Sequence, residues 1–200
     1  MLYWIVWRFL RPLAFHYFEL KVEGRENLPS TGGFILAANH ASALDPILIG
    51  LVLERPIHFL AKYELFQYPI LRWALPRIHA IPLRRGKPDR SALRVAIERA
   101  RGGAILGIFP EGTRSDDGQL QALRGGAALI AMHAGVPIVP VAVSGSWELW
   151  PKGRKFPRRG TIRISFGEPI AATVQSHSDR EAVEALSGGL ARALQTLLAH

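Results

Sequence analysis

An α/β fold, with a mostly parallel or mixed central sheet flanked by helices, follows from three features of the chain. Short apolar runs rich in β-branched residues alternate with longer helical patterns from residue 18 to residue 198. Several runs, such as Ala104-Ile105-Leu106-Gly107-Ile108-Phe109, contain no polar side chain and suit strands covered on both faces. Gly, Pro, Asn and Asp gather between the runs, where turns are needed.

Taken in order, the first element is Met1–Leu20, aromatic and apolar but interrupted by Arg8, Arg11, Pro12 and Glu19. It lacks the small-residue cleavage site of a signal peptide. Pro12 is unwelcome inside a helix and at home in a first turn, so two short helices are expected. Neither would cross a hydrocarbon layer of about 30 Å. Arg8 and Arg11 share one side, while Trp4, Ile5, Trp7 and Phe9 cover much of the rest, as in a segment that lies in a membrane interface. The rival placement packs the same aromatics onto the core. Residues 1–17 are thus read as an N-terminal interfacial helical segment and residues 18–200 as one domain.

Strands are expected at Phe18–Val22, Phe34–Ala38, Ile57–Ala61, Ile78–Pro82, Ala104–Phe109, Ile138–Val143 and Thr161–Phe166. Helices are expected at Pro46–Leu53, Glu64–Leu75, Arg90–Arg101, Ala122–His133 and Asp179–Leu198. Gly125–Trp147 has no charged side chain and is long enough to span a bilayer, but Gly135-Val136-Pro137 stops a helix in its middle. It reads as a buried helix followed by a buried strand.

The 200 residues, 48% of them hydrophobic, suffice for a core. No Cys is present, which removes disulfides, thiolate metal sites and any cysteine-bound intermediate. A net charge of +9 calls for an anionic partner: nucleic acid, a phosphorylated substrate or an anionic lipid surface.

Two turns carry the chemistry. Asn39-His40-Ala41-Ser42-Ala43-Leu44-Asp45-Pro46 follows a strand and opens a helix, the position where α/β sheets place reactive groups. A His and an Asp on one tight turn can pair, leaving the second ring nitrogen to take a proton from an alcohol. Asp45 before Pro46 also fits a helix N-cap with no catalytic duty. Phe109-Pro110-Glu111-Gly112-Thr113-Arg114-Ser115 again ends an apolar strand. Gly112 permits close backbone approach and Arg114 offers a fork for phosphate, yet a solvated turn explains the same residues. Arg84 and Arg85 follow the Ile81-Pro82 run, and exposed arginine pairs are usually surface charge. Ile138–Val143 is a core strand that offers no proton chemistry.

In this chain order the blocks resemble the 1-acylglycerol-3-phosphate acyltransferase (lysophosphatidic acid acyltransferase) family. The resemblance runs roughly from Phe34 to Gly145 and is more specific for the chemistry than for the acceptor. It implies that residues 18–200 form an acyltransferase catalytic domain, with His40 as general base and Asp45 as its orienting partner. Glu111, Gly112, Thr113 and Arg114 would line the acceptor site, and Arg85 would meet the acceptor phosphate. Arg84 stands where the commonest pattern has Asp, which leaves open which arginine serves. Arg124 replaces the Lys of many relatives. The reaction implied is direct transfer from an acyl thioester, acyl-CoA or acyl-ACP, to 1-acylglycerol 3-phosphate, yielding phosphatidic acid for phospholipid biosynthesis. No metal, no bound cofactor and no covalent acyl-enzyme are expected. The partners implied are a lysophospholipid acceptor, the thioester donor (an acyl carrier protein among the candidates) and an anionic membrane surface. The expected place is the cytoplasmic face of the membrane, peripheral or monotopic.

Four rivals remain. Another acceptor, such as a lyso-amino-acid lipid or glycerol 3-phosphate, would use the same machinery. A hydrolase would have His40 activate water. A nucleic-acid binder explains the charge but neither block. A metal site finds no ligand spacing among His16, His58, His79, His133, His177 and His200. The basic stretch Trp150–Gly160, with Phe156 among its lysines and arginines, is either a solvated loop or a contact with anionic groups.

Overall fold

The computed structural model of the chain describes residues 2–84, 89–173 and 180–199. Among the described residues seven strands form one sheet: β1 (Glu19–Glu23), β2 (Phe34–Ala38), β3 (Ile57–Lys62), β4 (Ile81–Leu83), β5 (Ile105–Ile108), β6 (Ile138–Ser144) and β7 (Thr161–Phe166). They lie in the order β1-β7-β6-β2-β5-β3-β4. Neighbours are parallel except β6 and β7, so the sheet is mixed and mostly parallel, as expected. The helices are α1 (Leu2–Tyr17), α2 (Asp45–Val52), α3 (Pro69–Arg77), α4 (Arg90–Arg101), α5 (Gly126–Ala134), α6 (Ser146–Leu149) and α7 (Arg180–Leu198).

The central strand shows why its sequence is apolar throughout. Phe34, Leu36 and Ala38 of β2 join a core with Leu48, Ile49 and Val52 of α2. Ile35 and Ala37 point the other way, into a core with Ala96 of α4, Ile130 of α5 and Leu190 of α7. Helices cover both faces, and every residue of β2 is buried. β6, β2, β5 and β3 run in parallel side by side, so their carboxyl ends emerge along one edge, where ligands bind in such sheets.

Four expectations are corrected. α1 is one helix of 16 residues with Pro12 inside it, not two. Pro12 and Arg8, whose carbonyl loses its partner, are both exposed, so water can satisfy the group. The expected helix Glu64–Leu75 is a 3₁₀ turn, Tyr63–Gln67, followed by α3, because Pro69 is restricted to a first helical turn. The expected strand Ile78–Pro82 begins only at Ile81. Its first residues close α3 instead, with Ile78 and Ala80 donating backbone N–H back into the helix and His79 at φ 66°. α5 starts at Gly126 rather than Ala122, since residues 121–124 are tethered elsewhere: Arg124 N–H donates to the Pro110 carbonyl. The short α6 lies between the strand expected at Ile138–Val143 and the basic stretch Trp150–Gly160, where no helix is expected.

α1 packs against α2 and α3. Trp7 Nε1 donates to the Leu53 carbonyl at 2.9 Å and Tyr3 Oη to the Gly50 carbonyl at 3.3 Å. Burial pushes the Tyr3 hydroxyl up to about 12. The same helix leaves Phe9 68% and Leu13 61% exposed, so the aromatics divide between docking and display. Among the described residues no helix is long and apolar enough to cross a membrane.

Candidate active site

The first turn leaves the end of β2. The Asn39 side chain bridges to β6, accepting from Val143 N–H at 2.7 Å and donating to the Val143 carbonyl at 3.0 Å. This fixes the strand end from which His40 departs. His40 Nδ1 lies 2.9 Å from Asp45 Oδ2, and the same oxygen accepts N–H from Ala41 at 2.8 Å and Ser42 at 2.7 Å. A carboxylate only accepts, so the proton sits on Nδ1 and Nε2 is the free acceptor. Asp45 is fully buried, whereas the His40 side chain keeps 13% of its surface open. The expected N-cap is not made. α2 already includes Asp45, its N-cap is Leu44, and no side chain caps it. The carboxylate turns back to collect the preceding turn around one oxygen. Its other oxygen, Oδ1, is buried without a partner among the described residues.

The ring of His40 stacks on Phe109 at 3.9 Å between centroids and 20° between planes. Phe109 is in turn nearly parallel to Phe59 of β3, at 5.8 Å. With Asp45 at one edge and Phe109 on one face, the imidazole has little freedom left.

The second turn leaves β5 and is tied to the first through Glu111. This carboxylate accepts His40 N–H at 2.6 Å and Gln121 N–H at 3.0 Å. The residue is buried, and burial raises its pKa above the ordinary value. Ser115 N–H completes the tie by donating to the His40 carbonyl at 2.7 Å. Glu111 therefore spends both oxygens on backbone. Gly112 sits at φ 77°, and a Cβ there would come within 3.0 Å of the Arg124 side chain. Thr113 is exposed, and Arg114 is half-buried with no hydrogen bond or ion pair among the described residues.

Beside these turns lies a cavity of about 540 Å³, within the range of small-molecule sites. Leu60, Leu83, Leu93, Ile108, Phe109 and Ile130 give it apolar walls, and Arg84, Arg90 and Arg124, with Asp89, are the charged residues that line it. Gly112 and Phe109 belong to both the cavity and the turns. Arg84 lies over the Tyr63 ring at 4.6 Å. Asp89 caps α4 by accepting Ala92 N–H and the Ser91 hydroxyl. The Ser91 bond first, then the amides of Arg84 and Ala92, hold its carboxyl down at about 2. Arg85 lies outside the described residues, as do His177 and His200. Among the described residues no group of His, Asp and Glu could hold a metal ion. In the basic stretch, Lys152 pairs with Asp116 at 2.7 Å.

Pattern alone missed Arg90 and the stacking role of Phe109. Arg90 looks like any first-turn surface residue of a helix. Phe109 could have been suspected, since an aromatic ends the strand directly before the Pro-Glu-Gly turn.

The profile of the acyltransferase family matches residues 19–144, from β1 to the end of β6. The chain belongs to the acyltransferase family. It is 33% identical to the 1-acyl-sn-glycerol-3-phosphate acyltransferase of Bacillus subtilis over 89% of this chain and 87% of that one. It is 34% identical to a chloroplastic 1-acyl-sn-glycerol-3-phosphate acyltransferase of Arabidopsis thaliana, over 77% of this chain and 44% of that one. Among solved structures it resembles the 1-acyl-sn-glycerophosphate acyltransferase PlsC of Thermotoga maritima. The TM-score is 0.78 at 32% identity, covering 98% of this chain and 79% of that one. The seven-stranded sheet and its covering helices are those of this acyltransferase fold, and both chemistry-bearing turns of the present acyltransferase lie within the family match.

Proposed function

We propose that this acyltransferase moves a fatty acyl group from an acyl thioester, acyl-CoA or acyl-ACP, to the free hydroxyl of 1-acylglycerol 3-phosphate. The product is phosphatidic acid, a precursor in phospholipid biosynthesis. One observation carries the proposal: an apolar cavity lined by three arginines has Phe109 in its wall, and that ring stacks on His40, the partner of Asp45. An acceptor with an acyl chain and a phosphate needs both chemistries side by side, and guanidinium groups suit phosphate. The names of the relatives support the same acceptor.

In the reaction, His40 Nε2 takes the proton of the acceptor hydroxyl as that oxygen bonds to the thioester carbonyl carbon. Asp45 holds the ring and stabilises the imidazolium. The C–S bond then breaks, and the imidazolium returns its proton to the departing thiolate. No acyl-enzyme forms. Ser42 is the hydroxyl nearest in sequence, but its Oγ is buried, donating to the Trp150 carbonyl at 2.8 Å. Glu111 acts by holding the His40 backbone to the second turn, not by touching the acceptor. Arg84, Arg85 and Arg114 remain the arginines expected to serve the phosphate, with Arg90 and Arg124 added from the cavity wall. Gly112 and Thr113 line the approach. Residues 1–17, through Phe9 and Leu13, hold the enzyme to the cytoplasmic face of the membrane.

Purified protein given labelled oleoyl-CoA should acylate lysophosphatidic acid far faster than monoacylglycerol, which lacks the phosphate. Equal rates on both, or release of free fatty acid without acceptor, would overturn this function. Faster transfer to another lysolipid would reassign the acceptor.

A further inference from the structure

The segment between β3 and β4 is unlike the rest of the domain surface. None of its residues in the 3₁₀ turn Tyr63–Gln67 or in α3 is buried. Ile70 is 80% exposed, Tyr68 63% and Trp73 54%, and Leu65 adds a further open apolar side chain. Ile70, Trp73 and Arg77 follow one another at helical spacing, so they form a stripe. Leu71, Ala74 and Leu75, on the other side, are half-covered. The cations are ordered along the stripe: Arg77 lies over the Trp73 ring at 4.7 Å, and Arg72 is exposed beside it. α3 itself contains no acidic residue, and Glu64, the one acid of residues 63–77, faces Lys62 at 3.7 Å at the start of the segment, away from the stripe in sequence. Apolar tip, Trp and Tyr flanks, and a helix whose only charges are arginines are the composition of an element lying at the level of lipid headgroups.

Its place in the chain ties it to the cavity. The chain leaves the cavity wall at Leu60, makes this excursion and returns to the wall at Leu83 and Arg84. Tyr63, the first residue of the excursion, lies under the Arg84 guanidinium at 4.6 Å. α3 also packs against α1, which displays Phe9 and Leu13. We propose that residues 63–77 insert into a bilayer surface containing anionic lipid, and so set the mouth of the cavity against the membrane. The occupant is a lipid surface rather than a protein groove, because the only charges on the stripe are cationic and complement anionic headgroups. The proposal rests on the lipid acceptor assigned above, and it adds a second contact to the one made by α1.

The test uses the full chain and Ile70→Gln/Trp73→Gln, both positions outside the cavity and exposed, with far-UV circular dichroism to confirm folding. Vesicles of phosphatidylcholine and phosphatidylglycerol report binding. The double variant should partition about ten- to a hundred-fold more weakly, since two large side chains no longer enter the apolar layer. Transfer to a short-chain acceptor below its micellar concentration should be unchanged, while transfer to a long-chain acceptor held in vesicles should fall. Lipids brominated on their acyl chains should quench the wild type more than Trp73→Phe. A parallel Phe9→Gln/Leu13→Gln variant isolates α1. Unchanged vesicle binding by the α3 variant, with loss only in the α1 variant, would overturn the proposal. So would a wild type that self-associates without vesicles and is made monomeric by the α3 changes, which would assign the stripe to a second copy of the chain. If neither acceptor is acylated, the functional reading fails, yet binding and quenching still decide the segment.

Discussion

Replacing Asp45 by Asn separates its two duties. Oδ2 gathers three donors: His40 Nδ1, Ala41 N–H and Ser42 N–H, at 2.9, 2.8 and 2.7 Å. In Asp45→Asn the two backbone donors force the amide oxygen, not its NH2, into that position. The proton therefore stays on His40 Nδ1 and the ring keeps its useful tautomer. What disappears is charge. A hydrogen bond to a charged group contributes about 1.5–3 kcal/mol and a neutral one about 0.5–1.5. The difference, about 1–2 kcal/mol, corresponds to roughly a 5- to 30-fold fall in kcat. Asp45→Ala differs in kind, because it orphans two buried N–H groups at about 1–3 kcal/mol each. At about 2–4 °C per kcal/mol for a chain of this size, Tm should drop by roughly 5–20 °C. Continuous detection of thiol release from acyl-CoA gives kcat, and a thermal scan gives Tm. His40→Ala is the reference, expected to keep about a thousandth of activity or less while folded. An Asn variant as inactive as His40→Ala at unchanged Tm would refute this account, because orientation and tautomer would then not explain the carboxylate. So would an Asp45→Ala protein as stable as wild type.

The remaining predictions concern the walls of the site. Arg124→Ala and Arg84→Ala should each raise KM for lysophosphatidic acid about ten- to a hundred-fold, from the loss of a charge-assisted contact, and leave KM for the donor nearly unchanged in steady-state assays. Gly112→Ala should lower both stability and acceptor affinity. A side chain at φ 77° costs about 1–2 kcal/mol, and the new Cβ pushes on Arg124, as calorimetry and KM would record. Glu111 is raised above its ordinary 4.5 by burial, so the folded state holds its proton more tightly than the unfolded state. Its contribution is therefore most favourable below that value and is lost as pH rises through the folded pKa. Denaturant titrations should show wild type losing stability relative to Glu111→Gln as pH rises through that window.

What the sequence alone determined is what its local pattern encodes. The alternation of fully apolar strands with helical stretches required a sheet covered on both faces, and β2 is buried along its whole length. His40 and Asp45 stand close enough in the chain to share a turn, so their pairing at 2.9 Å was within reach of spacing. Gly135-Val136-Pro137 likewise announced the break between α5 and β6. Other features needed distant parts of the chain. Glu111 reads as a site-lining carboxylate until it meets His40 N–H, 71 positions away. Arg90 reads as ordinary surface charge, and Arg124 only as the counterpart of the relatives' Lys, until the helices and the second turn bring them to one cavity with Arg84. Pro12 argued for a broken helix, but α1 is held from outside itself by bonds from Tyr3 and Trp7 to α2 and its end, and these outweigh one missing hydrogen bond. Propensity acts over a few residues and at about 1 kcal/mol or less for most. Contacts between remote segments exceed it, and they leave no periodic trace in the sequence because each partner is placed by its own strand or helix.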